Sequence, residues 1–191
     1  MKNIPAETTA DSVAPIDTII GPFFHTSLHE FAHALFDMFD LPLLGREEDA
    51  ADRVATYIFL QLGKTEARRL ITATAKAFRM EAERAAAEPP LLKQFAREHG
   101  TPAQRAYNVL CIAYGADPKL FGDFVTNGNL PKERAESCDD DYGQVLDAFE
   151  ILISPHVDRS LAKRVLDKSW LPERTTRVQR RLGPPEPSHQ K

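Results

Sequence analysis

The sequence predicts a mainly α, single-domain protein with little or no β-sheet. Apolar residues recur at three- and four-residue spacing in one segment after another, no run alternates with the period of two that a half-buried strand needs, and most prolines and glycines fall between the periodic segments. At 191 residues, with 42% hydrophobic and 27% charged residues, the chain can bury a substantial core as one unit.

The elements follow in order. Residues 1–14 are polar and rich in turn formers and read as a flexible segment, and Ile16–Ile20 is the one short stretch that could be extended. Residues 22–39 form a helix on which Phe24, Leu28, Phe31, Leu35 and Met38 make an apolar stripe expected to anchor it to the core, leaving the opposite face free. Leu41-Pro42 through Gly45 ends it, and residues 46–62 form a second helix capped by Gly63. Thr65–Ala87 is a long amphipathic helix whose Arg68, Arg69, Arg79 and Arg84 read as a solvated face, interleaved with glutamates. After Pro89-Pro90 come helices at 91–99, 102–114, 118–126, 131–137, 142–153 and 156–166. The domain is expected over residues 15–170, followed by a disordered, proline- and arginine-rich tail at 171–191.

Several function classes are disfavoured. A net charge of −4 gives no global signal for nucleic acid or anionic membrane. Ile19–Phe39 is broken by His25, His29, Glu30, His33 and Asp37, so no membrane span is expected, and the first residues lack a signal-peptide pattern, so the chain as written reads as cytoplasmic. There is no G-x-S-x-G and no phosphate-cradling glycine loop.

The chemistry lies in His29-Glu30-Phe31-Ala32-His33 and the later Glu48-Asp49-Ala50-Ala51-Asp52. Residues four apart share a helix face, so His29 and His33 can close on one Zn2+ ion. Glu30 can then accept a proton from zinc-bound water and pass it to a leaving amine. Two histidines leave a catalytic zinc one protein ligand short. Glu48 is the expected third, with Asp52 one turn on to orient a ligand histidine. Glu47 competes with Glu48, but a one-residue step turns the side chain about a quarter of the way round the helix, so only one can face the ion. Donors to a developing oxyanion are sought among His99, Tyr107, Tyr142 and His156, with His99 and Tyr107 leading. His25, one turn before His29, either reaches the edge of the site or, the favoured reading, lies at the surface.

The run HEFAHALFDMFDLPLLGREEDAADRVA resembles the core of a bacterial family of unknown function described as metallopeptidases, within the wider gluzincin group. Carried over residue by residue, the resemblance implies a zincin-like helical core with His29, His33 and Glu48 on zinc, Glu30 as base and Asp52 in support. It continues through QRAYNVLCIAYGADPKLF at 104–121 and LPKERAESCDDDY at 130–142, and spans residues 18–150. The implied activity is hydrolysis of a peptide or protein substrate; that no nucleic-acid partner is expected rests on the charge balance alone.

The sequence departs from that pattern ahead of the motif. Gluzincin peptidases usually carry an upstream helix and a sheet whose edge aligns the substrate backbone. Here little chain precedes His29, so either the substrate-aligning edge is missing or the natural start lies upstream and the protein is exported. The alternative function is a non-catalytic zinc-binding regulatory or interaction protein derived from a metallopeptidase. Cys111 reads as a buried apolar thiol. The resemblance to relatives that look exported also allows a Cys111–Cys138 bridge in an oxidising compartment.

Overall fold

A computed structural model describes residues 13–86, 95–158 and 160–161. Its elements are α1 (Asp17–Met38), α2 (Glu47–Gln61), α3 (Lys64–Ala85), α4 (Pro102–Ala116), two single turns α5 (Asp123–Thr126) and α6 (Lys132–Ala135), and α7 (Cys138–Ala148). A π-helical turn at Phe149–Ile153 and a 3-10 turn at Ser154–His156 follow. Among the described residues there is no strand, and no helix is long and apolar enough to cross a membrane. The protein is mainly α, as its periodicity predicts. The expected flexible start and the 171–191 tail fall mostly or wholly outside the described residues, as do residues 91–94 of the expected 91–99 helix.

Helix α1 packs on α2 and α3, α3 on α4, and α4 on both α2 and α7. The main core joins Phe59, Leu60, Ile71, Leu110, Phe121, Phe124 and Leu130, all essentially inaccessible. Gly21 permits a close α1–α3 approach: a Cβ there would lie 2.6 Å from Ala73 Cβ. Gly115 does the same for α4 and α7, where a Cβ would fall 2.0 Å from the Cys138 carbonyl oxygen.

Several expectations change. Ile16–Ile20 is not extended, because helix α1 already begins at Asp17. The fully buried face of α1 is Asp17, Gly21, His25, His29, Ala32 and Phe36, so the histidine face is the core face; of the expected stripe, Leu28 and Leu35 pack at the edge of the core while Phe24, Phe31 and Met38 are exposed. Polar residues can occupy it because α2, α3 and α4 supply ionic partners, a compensation that apolar periodicity does not register. Arg68 is buried rather than solvated: its guanidinium donates to the Leu120 carbonyl at 3.1 Å, pairs with Asp123 and lies 4.5 Å over the Phe124 ring. Arg69 also finds anions, Asp17 at 2.5 Å and Glu66 at 2.6 Å. Residues 118–126 make one helical turn at Asp123–Thr126 rather than a longer helix, since the Asp117 carboxylate caps the turn before it by accepting from the amides of Lys119 and Leu120.

Cys111 is buried, as its apolar surroundings predict, but it is bonded to Cys138, one turn from Gly115 on the same close α4–α7 contact. The bridge spans 27 residues. Reducing it is expected to lower stability by about 3 to 4 kcal/mol through the freed entropy of the unfolded chain, read as a lower urea midpoint with reductant. Superimposable unfolding curves would show that the bridge contributes nothing.

Candidate metal centre

Local signals place two helices side by side. Helix α1 ends in a Schellman turn: Asp40 takes φ 47°, its amide bonds to Asp37 O at 3.3 Å, and the Leu41 amide reaches Phe36 O at 3.0 Å. Gly45, at φ 122°, then turns the chain into α2. The first turn of α2 carries Glu47, Glu48 and Asp49, all favoured by the helix dipole. Helix α4 begins with a capping box, Thr101 paired with Gln104 and Pro102 in the first turn.

Three atoms converge where these elements meet. His29 Nε2 lies 2.9 Å from Glu48 Oε2 and 3.1 Å from His33 Nε2, and His33 Nε2 lies 3.5 Å from the same Glu48 oxygen. The outer side of each ring is tied to a carboxylate. His29 Nδ1 donates to Asp52 Oδ1 at 2.8 Å, and His33 Nδ1 donates to Glu47 Oε1 at 2.8 Å. A carboxylate can only accept, so Asp52 and Glu47 hold a proton on each Nδ1, and a metal ion taking the place of any proton on the inward side would meet both Nε2 lone pairs beside the Glu48 oxygen.

Three electron-rich atoms this close need a positive charge among them. Burial depresses the His29 pKa, yet the hydrogen bonds to Asp52 and Glu48 outweigh it and raise it above its ordinary value. A metal ion satisfies the same demand without a proton. Adjacent ligands of a tetrahedral ion with bonds of 2.0 to 2.1 Å stand about 3.3 Å apart, close to the three observed separations. His29, His33 and Glu48 therefore form a group that could hold a metal ion.

The surroundings stiffen this group. Asp52, 4% exposed, receives Arg105 Nε at 2.7 Å on one oxygen and Arg105 Nη2 at 2.8 Å on the other. Burial would raise its pKa, but the His29 and Arg105 hydrogen bonds hold it well below the usual carboxylate range. The guanidinium lies 4.3 Å over the Phe78 ring. His25 is not at the surface but 1% exposed, between Phe59 and Phe78 and 4.0 Å from Asp52. Burial brings its pKa down to about 4, so it stays neutral beside the cluster.

Other expected residues are placed as follows. His99 reaches the cluster, with Nε2 2.7 Å from Glu48 Oε2 and its ring stacked on His29 at 5.5 Å. Glu30 is exposed on α1 beside His29 and belongs to none of these hydrogen bonds. Tyr107 is 40% exposed, about 200° round α4 from Arg105, and makes no hydrogen bond to the cluster. Tyr142 is packed in the core and His156 stacks on Phe39. Glu47 and Glu48 both act, on opposite sides of His33. Arg105 was not legible as a site residue from its charge alone. One signal could have found it: it lies four residues before buried Val109, on the apolar face of α4, where an arginine must meet an anion.

The comparisons with known proteins agree with this centre. Residues 1–153 match the model of a family described as "Putative metallopeptidase". The chain belongs to this family. No curated protein and no solved structure matches it. The candidate metal group of this family member lies within the matched region.

Proposed function

We propose that this chain is a zinc-dependent peptidase, with His29, His33 and Glu48 as the metal ligands. One observation carries the reading: two imidazole nitrogens and a carboxylate oxygen converge, with both tautomers fixed from outside by Asp52 and Glu47. Two nitrogens and one oxygen make the donor set of a catalytic zinc site. When bound, zinc supplies Lewis acidity to a peptide carbonyl and lowers the pKa of water.

The chain's own groups supply the remaining steps. Glu30, exposed next to His29 and outside the hydrogen-bonded cluster, accepts a proton from the attacking water and returns it to the leaving nitrogen. His99 Nε2–H, now donating to Glu48, is the group placed to meet the developing oxyanion. Arg105 and Asp52 keep the His29 ring from turning. The Cys111–Cys138 bridge supports maturation in an oxidising compartment and thus an exported protein.

A second reading has an observation in its favour. A backbone edge aligned with the site would present a peptide, and among the described residues no strand exists to offer one. That favours a zinc-binding regulatory or interaction protein. Metal analysis of the purified protein, together with a peptide-library assay, separates the two. Stoichiometric zinc with cleavage is the expected result; stoichiometric zinc without cleavage supports the second reading, and absence of zinc sinks both.

A further inference from the structure

We infer that the outer face of α1 is a self-association surface, on which two copies of this chain pack as an antiparallel helix pair. Opposite the buried histidine face, Ile16, Ile19, Phe23, Phe24, Phe31 and Met38 are 58%, 66%, 66%, 47%, 51% and 71% exposed. Side chains of this size bury roughly 150 to 250 Å² when covered. At those exposures the stripe presents about 600 to 700 Å², at or above the largest apolar patch of an ordinary monomer. Two such faces together bury about 1,200 to 1,400 Å², within the range of specific, stable interfaces.

The spacing selects a second copy as the occupant. Ile16, Phe23, Ser27, Phe31 and Met38 lie on one face and are separated by seven, four, four and seven residues, a pattern that reads the same from either end. A two-fold axis at Ser27 therefore sets Ile16 of one copy opposite Met38 of the other, and Phe23 opposite Phe31, as an isologous interface requires. Ser27 suits the axis: it is small, and its hydroxyl already donates to Phe23 O at 2.9 Å within its own helix. A lipid surface is the poorer occupant. From Asn3 to Gly45 the chain has no lysine or arginine, and the charged residues from the start of this helix to Gly45 are all acidic: Asp17, which is buried, and Glu30, Asp37 and Asp40.

Sedimentation equilibrium of the full chain across a dilution series tests this, independently of metal or activity. The parent is expected to be a dimer that dissociates on dilution. Phe23→Glu and Phe31→Glu, at exposed positions that leave the core intact, are each expected to raise the dissociation constant about 30-fold or more with unchanged helix content. Ser27→Cys should link two copies covalently on oxidation, since both native cysteines are already paired, whereas Glu133→Cys on exposed α6 should not. A parent that is monomeric at every concentration overturns the inference. So does a dimer indifferent to both glutamate substitutions, or binding to phosphatidylcholine vesicles without self-association.

Discussion

Glu30→Gln is expected to lower peptide hydrolysis by about 10² to 10⁴-fold while metal content stays at the parent level. Glutamine keeps the size of the side chain but cannot accept a proton at neutral pH, so the proton of the attacking water has nowhere to go. Metal retention follows from the geometry: Glu30 is exposed and takes no part in the hydrogen bonds that orient His29 and His33. Measuring kcat/KM on the best peptide alongside zinc stoichiometry isolates the chemical step from metal loss. A variant as active as the parent would remove Glu30 from the mechanism. One that loses both metal and activity would make its role structural.

Asp52→Ala is expected to destabilise the protein by about 3 to 5 kcal/mol and to weaken metal binding about 10 to 100-fold. The substitution removes the acceptor of two Arg105 hydrogen bonds and one His29 hydrogen bond at once. Arg105 is then left as a mostly buried cation against Phe78, and the His29 ring loses what selects its tautomer. Asp52→Asn separates the two consequences. Its amide nearly preserves the packing, but its NH2 can donate to His29 Nδ1, forcing the imidazole proton onto Nε2, where it blocks the metal. Urea unfolding of metal-free protein reads the first effect, and competition with a chromophoric chelator reads the second. An alanine variant that unfolds like the parent would mean that the Arg105–Asp52 pair contributes no net stability.

Much of this was legible in the chain. The i, i+4 spacing of His29 and His33 needs only a helix, and so does the Glu48 and Asp52 pair, because each relation is local to one element. Other relations were not local. Whether Glu47 or Glu48 faces the histidines depends on how α2 is rotated against α1, and the structure uses both carboxylates, one on each nitrogen of His33. His25 looked like a surface histidine because composition does not reveal that α3 and α4 close over it with Phe78 and Arg105 beside Asp52. The stripe on α1 was only partly a core face, with Leu28 and Leu35 packed inward and Phe24, Phe31 and Met38 exposed, for a related reason. Apolar periodicity identifies a face that avoids water, but it does not say whether this chain's own core or another body covers it.

The sequence by itself determined the helical class, the residue types of the metal group and their spacing along two helices, since these follow from a 3.6-residue period and ligand chemistry. Only the tertiary structure decided that the histidine face is the buried one, that Arg105 anchors Asp52, that His99 returns over Glu48, and that Cys111 meets Cys138. The physical reason is the same in each case. Those contacts join residues that are far apart in the chain, and their geometry is set by how closely helices approach, at Gly21 against Ala73 and at Gly115 against Cys138, rather than by any pattern within one helix.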